Sequence, residues 1–356
     1  MFRTQRASHV SSRLPGSLCC EALESRRLLA AAIVVRAGES IQAAINSAPA
    51  GATIRIDKGT FAEAITINTS NLTLVGSGEG KTIITNPGGA NNGISVQANG
   101  DGVDISQLTV RNFARNGIVL IGADNYSISH VAAEDNARYG LFPIRSNKGN
   151  IDHCTASGSN DTGIYVGSLD GATISHCEVF NNVSGINIEN SSSVICDHND
   201  AHDNVVGIES ILLPGLSVLV SDNVTIAHND VSNNNHTNFA PPGSIPAALP
   251  SGMGILVIGT DDTTVEKNHV DGNNFVGIGV LSTTIVGALA GIPPAAFLGN
   301  DYNPDRVLVS DNHLSDNGIA SPLPGFPPVD LFWDGSGVAN HWEGNHFDTS
   351  FPPVLP

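Results

Sequence analysis

Short alternations of apolar and polar residues dominate this chain. After Ala37 the apolar positions alternate within short runs, and Asn, Asp and Gly separate one run from the next. A period of two bounded by turn residues predicts β-strands rather than amphipathic helices. The segment 40–48 is an exception, because Ile41 and Ile45 are spaced for one face of a short helix with Ser40 near its N-cap.

The alternating runs belong to a repeat of Asn-x₂₋₃-Gly-Ile type that recurs every 22–24 residues, with one 47-residue gap. A repeat of this length indicates one supersecondary unit stacked on copies of itself around a shared core. It is too short for a propeller blade, and the chain lacks the LxxLxL pattern of leucine-rich repeats. We therefore predict an all-β, single-domain parallel β-helix of about ten coils. The repeat glycines are Gly93, Gly117, Gly140, Gly163, Gly185, Gly207, Gly254 and Gly277.

Asparagine and histidine recur at fixed places in the repeat. Stacked asparagines at bends can hydrogen-bond to one another and to turn backbone, so we predict a structural role for them. The histidine column predicts an exposed ladder of stacked rings, with transition-metal binding or pH sensing as the alternatives. The asparagine columns are Asn136, Asn160, Asn182, Asn204, Asn234, Asn273 and Asn317, and Asn199, Asn229, Asn268, Asn312 and Asn345; the histidines are His130, His153, His176, His198 and His228.

The first 32 residues differ in composition from the rest and are predicted to form an export leader, disordered or cleaved. The string 22–30, ALESRRLLA, resembles the LExRxLLA motif of planctomycete surface and secreted proteins, which implies a secreted or cell-surface location. The alternative is a disordered basic leader with no special role. The apolar run 28–35 is too short to span a bilayer, so we expect no transmembrane segment. Residues 33–356 are predicted to be the β-helix: 33–50 the cap, 51–348 the coils and 349–356 a tail.

The net charge of −18 argues against nucleic acid and anionic membrane as partners. It would also repel a polyanionic substrate without a local basic patch or a bound cation. Cys154 and Cys177 occupy the same position in adjacent coils, at a spacing that a disulfide can bridge. Buried free thiols are the preferred interpretation. We expect a monomer.

The segment 40–76, with SIQAAINSAPAGATIRIDKGTFAEAITI, resembles the N-terminal coil of right-handed β-helix proteins of the pectate lyase, NosD and mannuronan epimerase type. The segment 163–356 resembles an uncharacterised bacterial family of parallel β-helix repeat proteins. It shares TGIYVGSLDGATISHCEVFNN, NNNHTNFAPPGSIP and the ending WDGSGVANHWEGNHFDTSFPPVLP. The resemblance implies a right-handed parallel β-helix over nearly all of the chain after Ala37.

Four interruptions of the repeat are the best pointers to function. They are Pro/Gly-rich, and loops longer than about 12 residues in a compact fold are usually functional or disordered. The first and third leave the coil from equivalent positions after a Gly-Ile strand, so we expect both to flank one face. The interruptions are 212–222, 235–251, 283–305 and 319–334.

On that face, alternation places Tyr165, Asn187, Glu189 and Glu209 outward. An aromatic ring with carboxylate and amide groups along a groove is typical of a polysaccharide site, where rings stack on sugars and polar groups bind hydroxyls. We predict that Tyr165, Asn187 and the nearby Asp170 bind the glycan. The alternative is that both glutamates are ordinary solvated residues.

The resemblance to pectate lyases also implies chemistry. In those enzymes a calcium cluster stabilises the carbanion and an Arg or Lys is the base, so Glu189 and Glu209 become calcium ligands and Arg145 or Lys148 the base. The catalytic candidates are therefore Arg145, Lys148, Glu189 and Glu209, in a lyase or C5-epimerase that acts on an acidic glycan. The DPHD motif of mannuronan epimerases does not occur. The alternative function is a non-catalytic cell-surface or matrix protein.

Overall fold

Each turn of the chain passes through three short strands, which lie on three faces of a prism. In one coil these are Thr162–Gly167 on face 1, Asp170–Ser175 on face 2 and Glu178–Phe180 on face 3. The chain then returns to face 1 with Ser184–Glu189, where Ile164 pairs in parallel with Ile186. The computed structural model describes residue 1 and residues 32–356; the motif at 22–30, Cys19 and Cys20 lie outside the described residues. The predicted right-handed parallel β-helix is confirmed.

Face 1 is an eleven-stranded parallel sheet within residues 32–356. Its strands are Ile65–Ile67, Asn92–Val96, Asn116–Ile121, Tyr139–Ile144, Thr162–Gly167, Ser184–Glu189, Val206–Ile211, Met253–Ile258, Val276–Leu281, Val329–Trp333 and Ser350–Phe351.

Faces 2 and 3 share the long strands Asp104–Arg111 and Ser127–Glu134, which run along both faces. The other strands of face 2 are Ile33–Val35, Thr53–Ile56, Thr73–Val75, Gly149–Asp152, Asp170–Ser175, Ser192–Asp197, Thr225–Ala227, Thr264–Glu266, Leu308–Ser310 and His341–Glu343. The other strands of face 3 are Gly59–Ala62, Thr82–Thr85, Thr155–Ser157, Glu178–Phe180, Asp200–His202, Asp230–Ser232, His269–Asp271 and His313–Ser315.

The core fills the interior of the coil with aliphatic side chains stacked one above another. The residue after each repeat glycine points inward, and equivalent isoleucines pair in register from coil to coil, as Ile186 does with Ile208. Full burial of such a side chain stabilises the fold by about 1.5–3 kcal/mol. The stacked, fully buried residues of face 1 include Ile94, Ile118, Leu141, Ile164, Ile186, Ile208 and Ile255.

The corners of the prism explain the recurrent turn residues. Between faces 2 and 3 the backbone of His176 is left-handed (φ 52°), and between faces 3 and 1 so is that of Asn181 (φ 55°). Asn, Asp and His are enriched among non-glycine residues that tolerate this conformation. The repeat thus selects residues that can turn the chain at each corner.

The predicted asparagine ladders are confirmed, and they run in one direction. Each side-chain oxygen accepts from the coil before it: Asn204 donates its backbone N–H and its amide to Asn234 Oδ1 at 3.1 and 3.0 Å, and Asn234 donates in the same way to Asn273. The equivalent position in the coil of Asn160 is held by Ser159, so the assignment of Asn160 to this column was wrong. In the second ladder Cys177 precedes Asn199.

The first ladder ends on a buried carboxylate. Asn317 donates its amide to Asp330 Oδ1 at 3.1 Å. The other oxygen of Asp330, which is 3% exposed, accepts from the backbone N–H and the hydroxyl of Thr349, each at 2.9 Å. The carboxylate therefore receives the last unpaired donor of the ladder.

Both ends of the core are covered. The predicted cap is the helix Ile41–Ser47, in which Ser40 Oγ accepts from the Ala43 N–H at 3.1 Å while Ile41 and Ile45 are buried. At the other end the backbone N–H of Trp342 donates to the Pro356 carbonyl at 3.0 Å, and Leu355 packs against the core. Covering the ends shields the apolar core from water.

The interruptions pack on the outside of face 1 and build a second hydrophobic cluster there. Leu256 and Phe332, which point outward from face 1, are buried against Val286 and Leu249 from the inserted segments. Part of the third interruption is the helix Thr283–Leu289, N-capped by Ser282, which the sequence did not indicate. The inserts also contain the 3₁₀ turns Pro246–Ala248 and Pro294–Phe297.

Cys154, Cys177 and Cys196 are buried free thiols, as the preferred interpretation expected. The backbone N–H of Cys154 donates to Cys177 Sγ at 3.4 Å. In the part of the chain that the structure describes, no helix has the length and apolar character needed to cross a bilayer.

Candidate functional site

A cleft of about 390 Å³ opens on the outer surface of face 1, where the first two inserts begin. Its floor is formed by outward-facing side chains of successive face 1 strands, and its walls come from the inserts 212–222 and 235–251. The lining residues are Arg138, Tyr139, Asp161, Asn187, Glu189, Glu209, Ile211, Leu213, Pro214, Leu216, Gly243, Ser244, Ile245, Pro246 and Leu249.

Four of the predicted site residues come together here. Tyr165, Asn187 and Glu209 pair in register on successive strands, and Glu189 lies two residues after Asn187. The Tyr165 hydroxyl donates to Glu189 Oε1 at 2.8 Å. Its ring lies over Gly167, where a Cβ atom would overlap the ring. A glycine at this outward position therefore lets Tyr165 reach Glu189.

The two glutamates are shifted toward the protonated form. Burial raises the pKa of Glu189 to about 7, and the hydrogen bond from Tyr165 only partly offsets that rise. Burial likewise raises the pKa of Glu209 to about 7, although Ser184 Oγ donates to its Oε1 at 2.6 Å. Glu209 is 2% exposed, so the alternative of a solvated residue was wrong for this position. Groups with a pKa near 7 can both release and accept a proton at neutral pH.

An ion pair that sequence reasoning missed completes the polar part of the cleft. Arg138 Nε donates to Asp161 Oδ2 at 3.2 Å, and Thr162 Oγ1 donates to the other oxygen of Asp161. Burial raises the pKa of Asp161, while Tyr139 and Arg138 oppose that shift. Both partners lie just before a face 1 strand, in the same column of adjacent coils. Reading this column as outward-facing would have revealed them.

Asn187 offers the cleft an amide without a partner. The residue is 6% exposed, and its side-chain oxygen is buried with no hydrogen-bond partner in the protein. Leaving such a group unpaired costs about 1–3 kcal/mol. An orphaned amide beside two carboxyl groups, in a cleft open to solvent, is therefore suited to bind a ligand.

Aromatic rings lie at the end of the cleft that Arg138 and Tyr139 line. Tyr139 stacks on Phe142 with ring centroids 4.2 Å apart, and Phe142 lies 4.7 Å from Tyr165. Phe142 is only partly buried. One coil before Arg138 lies the exposed Arg115, whose carbonyl accepts from the Arg138 backbone N–H. This end therefore combines apolar ring surface with two cationic side chains.

The other predicted site residues lie elsewhere. Arg145, Lys148 and Asp170 are exposed at the corner between faces 1 and 2, outside the residues that line the cleft. Arg145 and Lys148 both have left-handed backbones (φ 54° and 56°), which shows that they turn the chain. The structure brings Arg138, rather than Arg145 or Lys148, to the carboxyl groups.

Glu189 and Glu209 do not suit calcium. The ion takes six to eight oxygen ligands at about 2.3–2.6 Å and prefers ionised carboxylates. Each glutamate holds one oxygen in a hydrogen bond from a hydroxyl group, and each has a pKa of about 7. We derive no chemical step through calcium.

Comparisons with known proteins agree on the architecture. Residues 92–237 match the family model described as right handed beta helix region. The A-module of a mannuronan C-5 epimerase from Azotobacter vinelandii superposes with a TM-score of 0.58 at 15% identity, over 87% of this chain and 92% of that one. An alginate lyase from Paenibacillus sp. gives 0.51 at 13% identity, over 90% and 98%.

A third match is the Dettilon tailspike protein, with a TM-score of 0.53 at 12% identity over 88% of this chain and 60% of the tailspike chain. No curated protein sequence matches. At these identities the likeness shows the fold alone. The repeat, the three parallel faces and these matches together make the chain a right-handed parallel β-helix protein.

Proposed function

We propose that the protein binds a polysaccharide along face 1 and acts on it by proton transfer in the cleft. The observation that carries this proposal is the unpartnered Asn187 amide, which lies between Tyr165 and Glu209 in one column beside two carboxyl groups with a pKa of about 7. A polysaccharide fits because the cleft is elongated across coils and ends in ring surface, on which sugars stack.

The reaction class we favour is lyase or epimerase chemistry on an acidic glycan. Such a reaction removes the proton next to a uronate carboxylate, and the enzyme must stabilise the charge that develops on that carboxylate. Arg138 supplies hydrogen-bond donors for it, and the unpartnered Asn187 Oδ1 can accept from a sugar hydroxyl. Glu189 in its ionised form is the candidate base, and the Tyr165 hydroxyl bonded to it can return a proton. On a chain of net charge −18, Arg115 and Arg138 are the cationic side chains that a polyanion would meet at this cleft, and Arg138 is also paired with Asp161.

The test is a panel of uronate polymers, with neutral and amino-sugar polymers for comparison. Ultraviolet absorbance of the unsaturated product follows elimination, and proton NMR follows epimerisation. We expect one uronate polymer to react, and Glu189→Gln to abolish the reaction. Glu178→Gln is the matched control, because Glu178 is exposed on face 3. A panel with no product and no binding would refute the proposal.

The second candidate is a non-catalytic surface or matrix protein that binds glycan in the same cleft. The hydrogen bonds that already hold Glu189 and Glu209 favour it, since both residues are paired within the protein. Binding without product, weakened by changes at Asn187 and Phe142 but not by Glu189→Gln, is the expected result for this function.

We also propose that the protein is exported and reaches the outside of the cell or its surface. The support is the motif at 22–30, which lies outside the described residues. Fractionation of cells that express the full chain tests it, with Arg26→Ala and Arg27→Ala as the variants. Retention of the unaltered protein in the cytoplasm would contradict export. Retention of the variants alone would support a role for the motif.

A further inference from the structure

Five histidines form a continuous ladder at the corner between faces 2 and 3. The cleft lies on face 1, which does not adjoin this corner. Each has a left-handed backbone, with φ between 51° and 56°. Successive ring centroids lie 5.0, 4.8, 5.5 and 4.9 Å apart, which confirms the predicted stack. The members, in order, are His130, His153, His176, His198 and His228.

Two aspartates divide this ladder into pairs. Asp152 bonds the Nδ1 atoms of His153 and His176 at 2.8 and 3.0 Å, one on each carboxylate oxygen. Asp197 bonds the Nδ1 atoms of His198 and His228 at 2.7 and 2.8 Å in the same way. Bridged rings lie 4.8 and 4.9 Å apart, whereas the unbridged pairs His130–His153 and His176–His198 lie 5.0 and 5.5 Å apart.

The pairing results from an alternation along face 2. The residue before each histidine is acidic in every second coil and small in the coils between, so one carboxylate serves two imidazoles. These residues pair in register in the order Ser129, Asp152, Ser175, Asp197 and Ala227. The result is two equivalent units, each of one aspartate and two histidines from adjacent coils.

We propose that each unit binds one divalent transition-metal ion of the zinc class through two imidazole nitrogens and the carboxylate of one aspartate. The first site consists of Asp152, His153 and His176, and the second of Asp197, His198 and His228; within each, the ligand atoms lie within 4.8 Å of one another. Two histidines and a carboxylate are ligands that zinc, copper and nickel accept.

The observed distances fit replacement of the Nδ1 hydrogens by a metal ion. Nitrogen and oxygen ligands of a tetrahedral zinc ion with bonds of ~2.0 Å lie about 3.3 Å apart. The Nδ1–oxygen separations of 2.7–3.0 Å are only a few tenths of an ångström shorter. The ion takes the place of the Nδ1 hydrogens, and in each neutral ring that hydrogen moves through solvent to Nε2, so that Nδ1 presents its lone pair to the ion. The remaining coordination positions go to water, because the histidine side chains are 41–53% exposed.

The second site binds more tightly than the first. Asp152 Oδ1 also accepts from Ser175 Oγ at 2.9 Å, and an ion at the first site competes with that bond. The position of Ser175 is taken by Ala227 in the second unit, so Asp197 has no such competitor. In both units the left-handed corners and the ring stack hold the imidazoles in place before an ion arrives.

The test is calorimetric titration of the full chain, freed of metal with a chelator, with Zn²⁺ alone. We expect two ions per chain, one after Asp197→Asn or Asp152→Asn, and none after both changes. Any binding that persists at a substituted site should be at least about 10-fold weaker than at the unaltered site. Co²⁺ in place of Zn²⁺ should give a visible absorption spectrum typical of nitrogen ligands, which each substitution halves.

His130→Asn is the matched control, because His130 belongs to the same ladder and has the same left-handed corner but no bridging aspartate. Asn tolerates that backbone, and this variant should keep both ions. His198→Asn gives a second route to loss of one site if an aspartate variant fails to fold. No Zn²⁺ uptake by the unaltered chain, two ions in the double aspartate variant, or an equal loss in His130→Asn would overturn the proposal.

Discussion

The Tyr165 hydroxyl donates a 2.8 Å hydrogen bond to Glu189 Oε1, although 24 residues of chain separate the two. The bond joins adjacent coils across the outside of face 1, and Gly167 makes room for it. Burial and the negative charge of Glu189 both raise the pKa of Tyr165, so Tyr165 carries its proton at neutral pH. Glu189, with a pKa of about 7, is therefore the partner that titrates.

Glu209→Gln should stabilise the protein at alkaline pH. The pKa of Glu209 is raised from 4.5 to about 7 in the folded state, so the folded chain binds more protons than the unfolded chain between these values. The free energy of unfolding therefore falls as pH rises from about 4.5 to about 7, by on the order of 3 kcal/mol for this group. Gln stays neutral and can still accept from Ser184. Urea unfolding at pH 4.5 and pH 8 measures the effect.

The expected result is an unchanged free energy at pH 4.5 and a gain in the variant at pH 8. Glu178→Gln, on exposed face 3, should change neither value appreciably. Equal effects of Glu209→Gln at both pH values would show that the pKa of Glu209 is not raised in the folded protein.

Asn187→Leu should weaken glycan binding without destabilising the fold. The change removes an amide whose oxygen has no partner in the protein, so the free energy of unfolding should stay the same or rise. Affinity for the glycan found in the polymer panel should fall at least ~10-fold, since a hydrogen bond in the cleft is lost. Ser210→Ala is the control: Ser210 Oγ is likewise buried and unpartnered, but it points into the core. A loss of affinity in Ser210→Ala as large as that in Asn187→Leu would argue against a contact at Asn187.

Phe142→Ala should weaken binding at the end of the cleft that Tyr139 lines. Phe142 is partly buried and stacks on Tyr139, so its free surface can hold a sugar ring. We expect a loss of roughly threefold to tenfold in affinity, equivalent to about 0.7–1.4 kcal/mol. Phe180→Ala is matched to it, because Phe180 stacks on His202 at 5.3 Å on face 3. Both affinities come from calorimetry, and an unchanged value for Phe142→Ala would remove this ring from the site.

Gly167→Ala should disrupt the bond between Tyr165 and Glu189. A Cβ atom at position 167 overlaps the Tyr165 ring, so the ring must move, at a cost of about 1–3 kcal/mol. Near-ultraviolet circular dichroism should report the displaced tyrosine, and activity should fall with it. Gly279→Ala is the comparison at another outward position of face 1, where the nearest atom is the flexible end of Leu256 at 3.0 Å. Full activity in Gly167→Ala would show that the tyrosine–glutamate bond is dispensable.

Asn234→Ala should be among the most destabilising changes at the corners of the coil, because Asn234 is fully buried. It deletes the acceptor of two bonds from Asn204 and leaves the buried Asn204 N–H unpaired. We expect a loss of about 2–4 kcal/mol in the free energy of unfolding. Asn160→Ala should be nearly neutral, since Ser159 holds the ladder position in that coil. Chemical unfolding of both variants measures the two free energies. An equal loss of stability in Asn234→Ala and Asn160→Ala would contradict the ladder.

The coil could be predicted from the sequence because the residues that repeat are those that the corner backbone and the stacked hydrogen bonds require. Turning residues such as His176 and Asn181 recur for backbone reasons, and the stacked Asn204 and Asn234 recur because each satisfies the next. The outward positions of face 1 followed from alternation, which placed Tyr165, Asn187, Glu189 and Glu209 together.

The residues that precede each face 1 strand could not be assigned from this alternation. Alternation begins at the glycine, so the Arg138–Asp161 pair fell outside it, and Arg145 was assigned to the groove on proximity in sequence alone. The helix Thr283–Leu289 was missed because Val286 packs on the outer surface of face 1 and on other inserts, outside the repeat pattern. Its stability depends on tertiary contacts, which no local pattern reports.

The asparagine ladder also makes the two ends of the array unequal. Asn204 donates its backbone N–H and its amide forward to Asn234, and the same amide donates backward to the Val179 carbonyl. Loss of the preceding coil therefore leaves one amide hydrogen without an acceptor and frees one side-chain oxygen. Loss of the following coil leaves a backbone N–H and an amide hydrogen without acceptors. Removal of one coil should therefore cost more hydrogen bonds at the trailing end of the array than at the leading end, although the same length of chain is removed.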